Sequence, residues 1–366
     1  MDRRLLKNLD WSIILVTLLL IAYGCIAIYS ASAARAGFSL VIKQIGSAVI
    51  GIVVAIAVAT IDQQFFVRNS KRLYFWMVVA LIAVLVLGHS AKGAQRWIQY
   101  GPIRIQPSEL AKIIVILCLA AFFTQHREEI RTFKTFLRSF VYLLFPMLLI
   151  FIQPDLGTSL VIISIWITMA FITGTELKNI LIFCSIGLVL ISVAWFTPGV
   201  LKSYQKQRVV TLLDPNSDPL KSGYHVTQAR IAIGSGQITG KGYMSGTQRK
   251  LAFIPEQHTD FIFTVVAEEF GFVGAAILIF LYLFLILKAL NTAAIAEDFT
   301  GRAIAAGIAG MFLFHVFINL GMTMGIMPVT GVPLPLFSYG GSSLMTNLVA
   351  IGLLEGVTMR KHRINF

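Results

Sequence analysis

Long apolar runs, interrupted by short polar segments, dominate the chain. Ten of them lie near residues 11–31, 40–61, 73–89, 108–124, 136–152, 156–174, 179–197, 264–287, 303–325 and 343–358. A bilayer core needs roughly 20 apolar residues per helix. The pattern therefore predicts an all-α polytopic membrane protein of about ten transmembrane helices, forming a single domain over residues 1–366. An even number of spans puts both termini on one side. The first run is as long as a full span and no A-x-A site follows it, so it reads as a helix and not as a cleaved signal peptide.

The basic residues test that division. Arg3, Arg4, Lys7, Arg68, Lys71, Arg72, Arg127, Arg131, Lys134, Arg138, Lys178, Lys288, Arg302, Arg360, Lys361 and Arg363 fall on one side of the alternating loops. Only Arg35, Lys92, Arg96 and Arg104 fall in the opposite short loops. Lys and Arg accumulate in short cytoplasmic loops, so both termini are expected in the cytoplasm. Composition agrees, with 57% hydrophobic residues, 13% charged and a mean hydropathy of +0.81. A net charge of +13 would suggest nucleic acid for a soluble domain, but no basic cluster lies on a stretch able to fold outside the membrane, so no nucleic-acid partner is expected. Cys25, Cys118 and Cys184 sit inside apolar runs without CxxC or Cys/His spacing and read as small hydrophobes.

One connection, residues 197–262, is far longer than the others and faces outward on this topology, where length suggests function. Within it, Tyr224–Ile233 has helical spacing of apolar residues, as an amphipathic helix at the membrane interface would. A second irregular stretch, residues 326–342, is too rich in Pro and Gly for regular helix. At membrane depth such backbone survives only when buried in protein or lining a cavity, so it reads as a re-entrant outer loop.

Ionisable residues in or beside spans are functional candidates, and their depth discriminates between functions. Glu109 and Lys112 open the fourth span on neighbouring parts of one helix face. Asp155 follows Gln153-Pro154 in a tight outer turn and is also placed to cap the next helix. Asp260 stands at the entry to the eighth span behind His258 and Thr259, where capping is again an alternative. Arg96 lies in the outer loop Lys92–Trp97. Glu268 and Glu269 lie about 12 Å deeper at 1.5 Å per residue, which favours support of a site over contact with its substrate. His315, mid-span, reads as a packing histidine. The outer candidates converge on one leaflet.

Several motifs resemble one family in order along the chain. They are KGAQRW (92–97), QPSELAK (106–112), QPDLGTS (153–159), QRV (207–209), GSG (234–236) and PEQHTDFIF (255–263), then a stretch from Asn319 through Pro328 and Gly331 to Ser338-Tyr-Gly-Gly-Ser-Ser343. The chain is identified as a member of the SEDS family, the shape, elongation, division and sporulation proteins. The LLDPNSDPLKSGYH stretch, IAIGSG, the GTQ before PEQHTD and the short tails are most similar to its elongation branch. Gln257 alone departs from the commoner forms of the motif around Asp260.

The resemblance implies a peptidoglycan glycosyltransferase that polymerises lipid II at the outer face of the bacterial cytoplasmic (inner) membrane, in contact with membrane lipids. Expected partners are lipid II, the undecaprenyl-linked glycan, a class B penicillin-binding protein and the elongation machinery. The family's proposed catalytic aspartate falls on Asp260, and residues important in the family fall on Arg96, Glu109, Lys112 and Asp155. The chemistry needs a base for the acceptor hydroxyl and cations for the leaving pyrophosphate. Asp260 is therefore assigned as base of a single, inverting displacement. Arg96, Lys112 and Arg208 are assigned to the phosphates, with Glu109, Asp155, His258, Glu268, Glu269 and Ser338 in support. A divalent cation, Mg or Mn, held by Asp155 and Glu109 is a further expectation. A flippase for the lipid-linked precursor, or a division- or sporulation-type polymerase, is the alternative. A transporter would show inverted repeats around a midplane site, and neither is visible here.

Overall fold

The computed structural model describes residues 8–33, 38–91, 94–100, 103–218, 222–247 and 257–360. Lys92, Gly93, Pro255 and Glu256 of the motifs lie outside the described residues, as do Arg3, Arg4, Lys7, Arg35, Lys361 and Arg363. The long helices are α1 (Trp11–Ser32), α2 (Phe38–Thr60), α4 (Ser70–Leu87), α5 (Pro107–Gln125), α6 (Phe133–Ile152), α7 (Leu156–Thr173), α8 (Leu177–Phe196), α11 (Ile262–Ile295), α12 (Phe299–Met324) and α13 (Gly341–Met359). Shorter ones are α3 (Gln63–Arg68), α9 (Ser203–Leu213) and α10 (Ser222–Ser235). Among the described residues nine helices are long and apolar enough to cross a membrane. The tenth expected span is α4, an 18-residue helix with Lys71 and Arg72 in its first turn and an apolar remainder. Asn8 Nδ2 reaches Met359 O at 3.4 Å, so the two ends of the described chain meet on one side.

The core is built on α5, α7, α12 and α13, which are buried over most of their length. In a bilayer, helices associate through close packing between small residues. The seam between α2 and α13 shows this: Gly352 and Gly356 face Ala55 and Ala59, and a Cβ at Gly352 would stand 2.4 Å from Ala55 O. At the other extreme α8 has no buried residue after Ile180, and the segment from Leu188 to Phe196 presents Leu188, Val189, Leu190, Ile191, Val193 and Phe196 outward.

Three features depart from the sequence reading. First, the loop containing Arg96 is not irregular. β1 (His89–Ala91), β2 (Ala94–Tyr100) and β3 (Ile103–Ile105) form an antiparallel sheet in that order, with Trp97 opposite His89 and Ile98 opposite Ile105. Second, α10 does not lie free on the interface. It packs against α11 and α12, and its buried Ala229 and Ala232 meet Phe261.

Third, α11 is not one continuous helix and the long loop is not wholly external. Gly271 breaks α11 with φ +64°, a left-handed conformation that favours glycine. The backbone groups left over at the break are taken up by the loop. Lys241 N donates to Glu268 O and Gly242 N to Glu269 O, while Phe272 N donates to Gln237 O and Val273 N to Ile238 O. Residues 237–242 therefore descend alongside the helix and complete its hydrogen bonding, which irregular backbone at this depth requires.

The stretch between α12 and α13 is irregular as expected, and it is enclosed by protein. Leu334, Leu336 and Phe337 are buried. Tyr282 Oη donates to Pro335 O at 2.7 Å, and Gln44 clamps the far end, with Nε2 donating to Ser338 O and Oε1 accepting from Gly340 N.

Candidate active site

The turn between α6 and α7 is the first wall of the site. Asp155 caps α7, its Oδ1 accepting from Thr158 N at 3.2 Å, as an aspartate at that position does. Capping is only part of its work. Its Oδ2 also accepts from Thr158 Oγ1 (2.9 Å), Gln106 Nε2 (3.2 Å) and Ser108 Oγ (3.3 Å), so the start of α5 is tied to the start of α7. Arg96, delivered by β2, lies 3.8 Å from Asp155 Oδ1 and donates from Nε to Gln153 O at 3.0 Å and from Nη2 to Pro154 O. Arg96 thus latches the turn while its side chain stays partly exposed.

The second wall carries Asp260. Phe261 is the N-cap of α11 and makes no side-chain capping hydrogen bond, and Asp260 stands immediately before it. The residue is half-buried at the lip. Its backbone is held from α12, where Asn319 Nδ2 donates to Asp260 O (2.9 Å) and to Val332 O (2.7 Å). Ser338 Oγ donates to Thr259 O at 2.7 Å and accepts from Leu334 N at 2.9 Å. Tyr339 N donates to His258 O, and the rings of Tyr339 and His258 lie 5.6 Å apart. Opposite the carboxylate is Gly331 at φ +72°, where a Cβ would stand 3.3 Å from Asp260 Oδ2.

Arg208 on α9 closes the mouth. It is half-buried and within electrostatic reach of Arg96, Asp155 and Asp260, so both walls act on it. Burial first, and then Arg96, pull its pKa below the ordinary arginine value; Tyr204, Asp155 and Asp260 oppose that shift. Arginine stays cationic under such perturbation. Its Nη1 is buried and has no hydrogen-bond partner among the described residues, although its guanidinium lies over the Tyr204 ring. A buried donor left unpaired costs roughly 1–3 kcal/mol, so an anionic oxygen arriving there would be bound favourably.

The expected residues are therefore divided. Arg96, Asp155, Arg208 and Asp260 are brought together, with His258 and Ser338 shaping the lip. Lys112, expected to meet phosphates, is enclosed completely; its Nζ lies 2.9 Å from Glu109 Oε2 and 3.0 Å from His315 Nε2. Glu268 and Glu269 are also buried. Glu268 accepts from Lys241 Nζ, Thr247 N and Thr247 Oγ1, and Glu269 from Ser30 Oγ, so both hold the inserted loop and its surroundings. The donor set expected for a divalent cation does not fit one. Asp155 is filled by its hydrogen bonds and Arg96, and Glu109 is paired with Lys112. Among the described residues no group of three His, Cys, Asp or Glu side chains is placed to hold a metal. Sequence reasoning gave no role to Gln44, Gln106, Ser108 or Asn319, whose amides and hydroxyls knit the walls. Neutral polar residues carry little signal within apolar runs, and only their places inside the quoted motifs marked Gln106, Ser108 and Asn319.

Residues 10–363 match the family model described as "Cell cycle protein", which joins FtsW, RodA and SpoVE. The peptidoglycan glycosyltransferase MrdB of Escherichia coli K12 is 41% identical over 355 residues, covering 97% of this chain and 95% of that protein. Among solved structures, a chain of a peptidoglycan synthase complex, described for its coordination of polymerization and crosslinking, superposes with a TM-score of 0.82 at 31% identity, covering 97% of this chain and 99% of its own. The rod shape determining protein RodA of Thermus thermophilus superposes with a TM-score of 0.71 at 28% identity, covering 97% and 98%. A match over nearly the whole length, with every motif of the site inside it, makes the chain a member of the SEDS (FtsW, RodA and SpoVE) family of cell cycle proteins.

Proposed function

We infer that this chain is a peptidoglycan glycosyltransferase of the elongation type, polymerising lipid II into β-1,4 glycan strands. The observation that carries the reading is Arg208: a cation with an unpaired buried nitrogen stands within electrostatic reach of Asp260 and of the Arg96–Asp155 pair. Base and cations thus face one mouth.

In the reaction, Asp260 takes the proton from the 4-hydroxyl of the GlcNAc of lipid II as that oxygen attacks the anomeric carbon of the MurNAc at the reducing end of the growing chain. The bond from that carbon to the pyrophosphate oxygen breaks, and undecaprenyl pyrophosphate leaves. A single displacement converts the α-linked donor to a β-linked product. Arg208, with the partly exposed Arg96, offsets charge on the leaving group. Asp155 orients Arg96 and joins α5 to α7. Lys112 and Glu109 act below the surface, and no step is routed through a metal. Activation of the donor as a lipid pyrophosphate supplies the driving force without a nucleotide.

The asymmetry of Lys and Arg between the two sets of loops supports an outer-face position for the mouth on the cytoplasmic membrane, where a class B penicillin-binding protein would crosslink the glycan. The MrdB and RodA likenesses favour the elongation branch over the division and sporulation branches. The test is polymerisation of lipid II by the purified chain, with and without its cognate penicillin-binding protein. Asp260→Asn is expected to lower the rate about 10²–10⁴-fold, the usual contribution of a general base, with unchanged thermal midpoint. Near wild-type polymerisation by folded Asp260→Asn would remove the base assignment. Polymer formed in detergent would exclude transport as the sole activity, because no second compartment exists there.

A further inference from the structure

Beneath the mouth, Lys112 bridges two helices. Its Nζ contacts Glu109 on α5 and His315 on α12, and all three side chains are buried. The histidine is oriented at both ring nitrogens. Nδ1 lies 2.7 Å from Met311 O, and a carbonyl only accepts, so the proton sits on Nδ1. Nε2 then presents its lone pair to the Lys112 ammonium. Four residues along α12, Asn319 holds Asp260 O and Val332 O. Residues four apart stand on one helix face, about 6 Å apart along the axis. One face of α12 therefore grips α5 through His315 and the Asp260 lip through Asn319. The gripped end of α5 carries Gln106 and Ser108, which hold Asp155, which holds Arg96.

We propose that His315 is a positioning residue for polymerisation: acting through Lys112, it sets the start of α5 against α12, and with it the spacing between Asp260 and the Arg96–Asp155 pair. The proposal rests on the glycosyltransferase reading of the site. A histidine present only for packing needs no lone pair toward Lys112, and an apolar residue of similar bulk would replace it. A residue that positions Lys112 needs an acceptor where Nε2 stands. Without one, Lys112 keeps Glu109 alone, a partner on its own helix, and the link between the two walls is cut.

The test is lipid II polymerisation by the full-length protein with its cognate penicillin-binding protein, comparing His315→Gln, His315→Asn and His315→Leu. Glutamine can bring its carbonyl oxygen to the place of Nε2, whereas asparagine is too short and leucine has no acceptor. His315→Gln is expected within about threefold of wild-type kcat. His315→Leu and His315→Asn are expected to lose at least tenfold in kcat with less than threefold change in KM, at thermal midpoints matching His315→Gln. In a Lys112→Met background, His315→Leu should cause no further loss, because the pair acts as one unit. Equal activity of the three single variants overturns the proposal, as does full activity of His315→Leu. If His315→Leu does not fold, the Gln and Asn variants decide alone. Wild-type protein that makes no polymer under any condition would instead overturn the reading of the site as a polymerase.

Discussion

Ser338 shows how much of the site depends on neutral side chains. Its hydroxyl donates to Thr259 O and accepts from Leu334 N, so it closes the buried loop on itself and fastens it to the residue before Asp260. Ser338→Ala removes the hydrogen bonds to Thr259 O and to the buried Leu334 N, at roughly 1–3 kcal/mol for a buried group left unsatisfied. The expected outcome is a lower thermal midpoint in detergent together with reduced polymerisation; an unchanged midpoint would mean that water or a backbone shift replaces both bonds. At this scale the ionisable part of the site was legible in the sequence. Charged groups beside apolar runs need a reason to be there, and Arg96, Asp155 and Asp260 stand out for that reason. What the sequence left hidden was pairing. Nothing in the spacing of Lys112 and His315, separated by 203 positions, announces a contact. The same blindness assigned Lys112 to the phosphates, whereas its ammonium is enclosed between Glu109 and His315.

Among elements, α11 is the instructive case. Its apolar length made a span easy to predict, and its glycine made the break easy to miss, because isolated glycines are common in transmembrane helices. The meaning of Gly271 lies in what approaches it. A Cβ there would stand 2.3 Å from Gly240 N and 2.6 Å from Ile238 O, and both are backbone atoms that cannot swing aside. Gly271→Ala therefore combines roughly 1–3 kcal/mol of backbone strain with a clash that pushes the inserted loop outward. Loss of activity and a substantially lower thermal midpoint are expected. Gly46 on α2 has nothing within 4 Å of its added Cβ, so Gly46→Ala should leave the midpoint unchanged or slightly raised. If the two variants melt alike, the loop does not depend on the break. The small sheet around Arg96 was missed for a different reason: its strands are short and flanked by apolar spans, whose long-period signal masks an alternation of a few residues.

For the whole molecule, the distribution of burial sets what can move. The bundle around α5, α7, α12 and α13 is closely packed, whereas α8 meets it through its first two turns, where Asn179 and Ile180 are buried and the Phe183 ring packs on Phe136, Phe140 and Trp166. Elements with few packed contacts occupy the low-stability end of a structure. Spin labels at Leu188 on α8 and Leu110 on α5, both outward-facing, should separate the two classes. Paired with a label at Gly46, Leu188 is expected to give the broader distance distribution by pulsed electron paramagnetic resonance. Equal widths would show that α8 is fixed by contacts other than those within this chain. Sequence could predict that α8 spans the membrane, because composition decides that, but not that it stands apart, because every apolar span looks equally suited to lipid and to protein.

The insertion of residues 237–242 against the broken α11 also bears on how family members can be recombined. An outer loop is usually treated as an interchangeable module, to be exchanged between relatives while the membrane core stays constant. Here the loop supplies hydrogen bonds to the core, and the core supplies a gap shaped for the loop's own glycines. The two halves are a matched set in the sense of a lock and its cylinder. A chimera that transplants the loop without the segment around Gly271 inherits half of that fit, so the natural crossover points lie outside both.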